Sequence, residues 1–313
     1  MQQSEINQNV STLNVWWMQG KIYIQAYLIR GKLNALIDTG PRQGEEDTLA
    51  LEIASHGLEP SDIDLVLNTH GHADHIGGNA AIMAASGARI MIHREDAVFL
   101  EDHRRCFEQY YAPFYKALGR EQQQAEDLAA FMQEMGPQMA VDSHLEDNEL
   151  IDLGEGVDLR VIHLPGHTAG SVAYYWEREG VLFIGDSVSG LSSPGGSLPI
   201  ITDLKAYAKS VNRLLDLPVN CILSSHPYRG IKLAPSIIKQ GEEAKQFLLD
   251  TREFVLRLED AIENMNAESV ESLPEATDKV IAALPEEMGF KPIAEARLPQ
   301  FSMTTVFWCL FNK

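Results

Sequence analysis

A ten-residue stretch, T-H-G-H-A-D-H-I-G-G from Thr69 to Gly78, crowds His70, His72, Asp74 and His75 into six positions. It follows directly on the apolar run D-I-D-L-V-L-N. Neutral imidazoles clustered with a carboxylate form the donor set that a borderline cation such as zinc prefers. On a chain turning out of a strand, His70 and His72 can share one cation, while Asp74 and His75 face a second one further round the turn. A loop that merely happens to be rich in histidine explains a lone imidazole well. It explains H-x-H-x-D-H behind a buried strand poorly. Three more strand ends carry the same residue types: His167 in L-P-G-H-T-A-G-S, Asp186 in F-I-G-D-S and His226 in L-S-S-H-P. Each alone reads as a cap or a surface group. Together they bring ligand-type side chains to one edge of a sheet, where α/β proteins keep their sites.

The elements that must position them alternate along the chain. Short strands are expected at T-L-N-V-W-W-M, K-I-Y-I-Q-A-Y-L-I and L-N-A-L-I-D-T-G, separated by Gly-bearing turns. A helix follows through E-E-D-T-L-A-L-E-I-A-S-H-G, with Gly57 placed to end it. The run I-D-L-V-L-N reads as a strand buried on both faces, followed by a helix through G-G-N-A-A-I-M-A-A-S-G and a strand at R-I-M-I-H. Beyond about residue 150, strands recur at G-V-D-L-R-V-I-H-L, S-V-A-Y-Y-W-E and G-V-L-F-I-G-D. The helix L-K-A-Y-A-K-S-V-N-R-L-L-D-L then leads to the strand C-I-L-S-S-H. This order argues for layered α/β packing, sheet inside and helices outside.

Two segments interrupt the alternation. Residues from about 95 to 145 read as a helical insertion with an aromatic cluster at Phe107, Tyr110, Tyr111, Phe114 and Tyr115, which could wall the site. From Pro235 a long amphipathic helix is expected, with Ile238, Phe247, Leu248, Phe254, Val255, Leu258 and Ile262 on its apolar face. The closing run F-S-M-T-T-V-F-W-C-L-F alternates in a way that allows a strand. The expected division is an α/β domain over 1–234, which holds the site, and a mostly helical extension over 235–313. That extension would pack on the domain or on a second subunit, as in a homodimer.

Composition narrows the functional classes. The net charge of −20 would repel a phosphate backbone, which argues against nucleic acid as a partner. No apolar run approaches the roughly 18 residues of a membrane span. The start shows no basic and apolar regions of a secretory signal, and Cys106, Cys221 and Cys309 are odd in number and far apart. Reduced thiols in a cytoplasmic protein are the expectation. His56, His93, His103, His144 and His163 lack metal spacing and read as structural or surface residues.

The five ordered motifs L-I-D-T-G, T-H-G-H-A-D-H-I-G-G, L-P-G-H-T-A-G-S, F-I-G-D-S and S-S-H-P make the chain resemble the metallo-β-lactamase superfamily of metallohydrolases over roughly residues 10 to 235. The resemblance implies an αβ/βα sandwich with a metal site at one edge. It implies that His70, His72 and His167 hold one divalent ion, that Asp74, His75 and His226 hold a second, and that Asp186 bridges the two. Asp38 of L-I-D-T-G would orient a ligand imidazole. Zinc is the expected metal, with iron or manganese as alternatives.

Two dications bring four positive charges and Asp74 with Asp186 return two negative ones. The excess favours a bound hydroxide, since coordination lowers the pKa of water from about 15.7 to near 7. Such a site would cleave an ester, lactone or thioester of a small-molecule acyl substrate, with Asp74 or water supplying the leaving-group proton. Asp186 suits the hydroxyacylglutathione hydrolases and the acyl-homoserine lactonases better than true β-lactamases. The tyrosine that lactonases carry after the bridging Asp is missing from G-D-S-V-S-G-L-S-S-P-G-G, whereas Tyr228 in H-P-Y-R-G matches the thioesterase pattern. The basic residue that holds glutathione after G-D is absent. Two rival readings are a mononuclear iron oxidoreductase like the persulfide dioxygenases, and a regulatory or binding protein on the same fold.

Overall fold

The computed structural model describes residues 5–17, 21–44, 47–120, 124–191, 195–265 and 270–310. Two sheets stack face to face, with helices on both outer faces. The first sheet runs in sequence order: β1 (Glu5–Asn7), β2 (Val10–Trp17), β3 (Ile22–Arg30), β4 (Asn34–Ile37), β5 (Leu65–Leu67), β6 (Arg89–His93) and β7 (Ser143–Leu145). The second comprises β8 (Leu150–Asp152), β9 (Asp158–His163), β10 (Val172–Trp176), β11 (Val181–Gly185), β12 (Cys221–Tyr228) and β13 (Ser236–Gln240), again neighbour to neighbour. The chain belongs to the α/β class, as the alternation predicts.

Three apolar layers hold this together. Between the sheets, Tyr27, Ile37, Leu65 and Leu67 meet Leu159, Val161, Tyr174, Phe183 and Leu223. Two phenols cross that layer and satisfy backbone carbonyls near the ends of strands. Tyr27 donates to the Ser224 carbonyl at 2.8 Å and Tyr174 to the Asn68 carbonyl at 2.7 Å. Buried hydroxyls need such partners, and these two also pin the sheets to each other at the edge where the metal-type residues emerge.

On the outside of the first sheet lie α1 (Thr48–Ser55), the short α2 (Ala73–Ile76) and α3 (Asn79–Ser86), followed by the insertion. Asp47 caps α1 by accepting from the Ala50 N–H at 3.0 Å. The insertion is a chain of short helices, α4 (Val98–Glu101), α5 (His103–Cys106), a π-turn over Phe107–Tyr111, α6 (Ala112–Ala117) and α7 (Gln124–Met135). Its aromatics pack largely on each other: Phe107 stacks on Tyr111, with ring centroids 5.9 Å apart, and Tyr111 lies 4.8 Å from Phe131. The expected span of 95–145 closes with β7, which returns the chain to the first sheet.

The second sheet is covered by α8 (Leu204–Leu215), α9 (Glu242–Glu263), α10 (Leu273–Ala283) and α11 (Pro299–Leu310). Two local expectations fail here. The helix expected from Pro235 starts only at Glu242, because Ser236–Gln240 forms β13 along the open edge of β12. Ile237 and Ile238 are β-branched and suit that edge, and Gly241, at φ +55°, turns the chain into α9. The terminal run is α11 rather than a strand. Its buried residues Ser302, Met303, Thr305 and Val306 recur at three- and four-residue steps, which alternation in so short a run conceals.

Candidate metal centre

Parallel pairing sets the site's position. Strands β4 and β5 are parallel neighbours, as are β11 and β12, so their C-terminal ends lie at a common edge. Asp38 follows β4, His70 and His72 follow β5, Asp186 follows β11, and His226 sits near the end of β12. His167 lies in the loop between β9 and β10. Gly185, at φ +49°, lets the end of β11 approach Thr69, whose Oγ1 would lie only 2.3 Å from an added Cβ.

Seven of the sequence-derived residues converge. The ring nitrogens of His70, His72 and His167 form a triangle with edges of 3.1, 3.2 and 3.0 Å. Beside it, His226 Nε2 lies 3.3 Å from Asp74 Oδ2 and 3.4 Å from Asp186 Oδ2. His75 Nε2 stands 3.7 and 3.6 Å from the same two oxygens. Asp186 Oδ2 is also 4.0 Å from His167 Nε2, so this one oxygen faces both groups. Among the described residues, three trios place their donor atoms within 4.8 Å: His70–His72–His167, His70–His75–Asp186 and Asp74–His75–His226.

Hydrogen bonds on the far side of three of the rings, those of His70, His75 and His167, orient them. Asp38 accepts from the Thr69 N–H at 2.7 Å, from Thr69 Oγ1 at 2.7 Å and from His75 Nδ1 at 2.8 Å. Thr69 spends its proton on Asp38, so its oxygen accepts from His70 Nδ1 at 3.1 Å. His167 Nδ1 donates to the Ile200 carbonyl at 2.8 Å. The Nε2 atoms of His70 and His167 are therefore bare lone pairs aimed inward, while His75 Nε2 faces the carboxylates of Asp74 and Asp186. His70 and His167 point theirs at each other across 3.2 Å, and buried His75 Nε2 has no hydrogen-bond partner. Lone pairs crowded in this way repel unless a cation lies among them. Tetrahedral ligands at about 2.0–2.1 Å from a zinc-type ion stand about 3.3 Å apart, close to the observed triangle.

The electrostatics divide in the same way. Burial, helped by the neighbouring imidazoles, lowers His70 well below the usual histidine range, and burial with His167 brings His72 down to about 3. Burial also works to lower His75 and His226, but the surrounding carboxylates outweigh it, raising His75 well up and His226 to about 9. Conversely, burial works to raise Asp74, yet His75 and His226 bring it down to about 2. Tyr228 is buried beside His226, its phenol pushed up by burial and by Asp186, with Ser189 and Asp186 as hydrogen-bond partners.

One buried carboxylate escapes the motifs. Asp96, fully buried just past β6, accepts from the Gly71 N–H at 2.9 Å, the Gly170 N–H at 2.7 Å and Thr168 Oγ1 at 2.6 Å. It therefore ties the loop of His70 and His72 to the loop of His167. Burial, against those three donors, pushes it up to about 6. A Cβ on Gly170 would meet its carboxyl carbon at 2.6 Å, so only glycine admits this approach. The sequence signal was the position of R-E-D after a strand parallel to β5, obscured by reading residue 95 as the start of the insertion. Asp96→Asn turns an amide donor toward donating groups. Each unsatisfied buried donor should cost about 1–3 kcal/mol. A lower Tm and weaker zinc uptake are expected; wild-type values for both would remove Asp96 from this role.

Comparison with known proteins agrees with the geometry. The sequence profile of the metallo-beta-lactamase superfamily matches residues 20–226. The chain belongs to the metallo-beta-lactamase superfamily. A hydroxyacylglutathione hydrolase of Anaeromyxobacter dehalogenans is 31% identical over 169 residues, covering 54% of this chain and 47% of the relative. The chain thus spans about half the length of that relative. A lactamase-like protein of Aspergillus niger is 25% identical over 282 residues, 86% of this chain and 72% of the other. Among solved structures, a metallo-beta-lactamase family protein of Thermus thermophilus superposes with a TM-score of 0.71 at 22% identity, covering 97% of this chain and 93% of that one. A metallo-beta-lactamase of Cronobacter sakazakii gives 0.59 at 23% identity, over 85% and 100%. These two confirm the sandwich fold. Among the described residues, no helix is long and apolar enough to cross a membrane.

Proposed function

We propose that this superfamily member is a dinuclear metal-dependent hydrolase acting on an ester, lactone or thioester of a small-molecule acyl substrate. The observation that carries the reading is the convergence of the inward-facing ring nitrogens of His70, His72 and His167 next to a second trio with its own carboxylate. His70, His72 and His167 would hold one ion, Asp74, His75 and His226 the other, with Asp186 Oδ2 between them. Zinc would fit this set of five imidazoles and two carboxylates best. Bound divalent ions supply a lowered pKa for water and polarisation of the electrophilic oxygen.

The chain's own residues do the rest. Asp38 holds His75 and, through Thr69, His70 in the tautomers that face inward. Against burial, the imidazoles of His75 and His226 favour the ionised form of Asp74, which suits it to hold an ion; the leaving-group proton would come from Asp74 or water. Tyr228, buried against Asp186, positions that carboxylate instead of touching substrate. At the insertion, buried Phe99 lies 6.0 Å from the His72 ring and half-buried Tyr110 stacks on it, so Tyr110 would offer the apolar wall beside an acyl group. Glutathione is not favoured as the thiol, because Ser187 after Asp186 is buried and donates to the Val172 carbonyl.

A panel of chromogenic esters, thioesters and lactones tests this reading with zinc-replete and chelated protein. Turnover of at least one class, lost on chelation, restored by zinc and independent of oxygen, is expected. Oxygen uptake with a persulfide and iron, or no turnover at full zinc loading, would overturn it.

A further inference from the structure

We infer that the C-terminal helix α11 is part of the metal centre's support: Thr305 and Ser302 fix the loop whose Ile200 carbonyl orients His167. This rests on the reading of His167 as a metal ligand.

Residues 197–201 form neither helix nor strand and are largely buried, so their backbone groups need partners from elsewhere. Helix α11 supplies them from about a hundred residues away. Ser302 Oγ accepts from the Leu198 N–H at 2.8 Å. Thr305 Oγ1 accepts from the Ile201 N–H at 3.0 Å and donates to the Pro199 carbonyl at 2.6 Å. Ser197 Oγ returns a bond to the Leu298 carbonyl at 2.8 Å. The two Thr305 bonds therefore clamp the residues on either side of Ile200. Its own carbonyl is left to accept from His167 Nδ1 at 2.8 Å.

That bond decides which nitrogen of His167 faces the site. With Nδ1–H held by a carbonyl, Nε2 is the lone pair, 3.2 Å from His70 Nε2 and 3.0 Å from His72 Nδ1. Thr202 reinforces the link, its hydroxyl reaching the His167 carbonyl at 3.0 Å. Ser302 and Thr305 are fully buried, on a helix face otherwise made of Met303, Val306 and Phe307. Small polar side chains on an apolar face mark a helix recruited to satisfy a loop rather than only to cover a core. Partners that orient a ligand imidazole typically account for 10–100-fold in metal affinity.

The test is zinc affinity by competition with a chromophoric chelator, on the full-length chain. Thr305→Val keeps the side chain's shape and removes both hydrogen bonds. It should weaken one of the two zinc sites about tenfold or more, with the other unchanged, and Thr305→Ser should recover most of that loss. Thr304→Val is the control on the same helix, since Thr304 Oγ1 donates only to the Gln300 carbonyl. Val306→Ala is the control for stability: it should lower Tm without moving zinc affinity. If Thr305→Val proves unfolded, Ser302→Ala carries the same comparison with the loss of a single bond. His167→Ala separates the premises. Should it bind both ions like wild type, the site reading fails and this inference with it. Should it lose an ion while the Thr305 and Ser302 variants bind normally, or while Val306→Ala weakens zinc as much as they do, only the role of α11 is overturned.

Discussion

Asp186→Ala should reduce kcat/KM by about 10²–10⁴-fold and leave the protein short of at least one ion while far-UV circular dichroism stays unchanged. A single oxygen of this carboxylate stands 3.4 Å from His226, 3.6 Å from His75 and 4.0 Å from His167. Removing one preorganised electrostatic group from a catalytic site costs about 10²–10³ in rate, and loss of a bound ion adds to that. His70→Ala should behave similarly, because it opens the triangle of nitrogens at its centre. Neither residue belongs to the apolar layers, so the sandwich does not depend on them. Metal analysis, thermal melting and the chromogenic panel read the three parts separately. Near-wild-type rates at equal metal loading would withdraw the assignment of that ligand.

How far the site was legible depends on the kind of contact. His70, His72, Asp74, His75, His167, Asp186 and His226 announce themselves because each is a ligand-type side chain at or shortly beyond a strand end, and the parallel pairs β4·β5 and β11·β12 carry most of those ends to one place. Asp38 was legible for the same reason: it follows β4, the parallel neighbour of the strand that leads to Thr69 and His70. Asp96 was not, since its value lies in accepting backbone N–H groups of Gly71 and Gly170, and a backbone donor has no residue type to read. The Ile200 carbonyl was hidden in the same way.

The fold shows a parallel division. Long alternation between strand and helix patterns gave the layers, because burying one face of every element leaves few other arrangements. Local identities failed where two periods fit equally. Ile237 and Ile238 suit a helix face by spacing and an edge strand by shape, and the open side of β12 decided for the strand. In the terminal run, Ser302 and Thr305 would fall on opposite faces of a strand but share one face of a helix. They are buried helix positions because a loop elsewhere needs their hydroxyls.

Truncation after Gly230 should yield insoluble or metal-poor protein, not an active minimal domain. The cut removes β13 and bares the edge of β12, the strand that carries His226, and exposed edges pair with other chains. It also removes Phe247, Leu248, Phe254, Val255 and Leu258, which share one buried cluster with Ile162, Ile184, Val211, Ile222 and Tyr228. At about 1.5–3 kcal/mol for each large apolar side chain, those five alone are worth roughly 7–15 kcal/mol. That matches the whole stability of a typical domain, about 5–15 kcal/mol. Helix α11 is lost as well, and with it the splint of the His167 loop, so even a rescued fold should bind zinc less tightly. Expression yield, size-exclusion profile and zinc content of the truncate are the measurements. A soluble monomer with full activity would show that residues 231–313 are a separate module and that the second sheet needs neither its edge strand nor its helical cover.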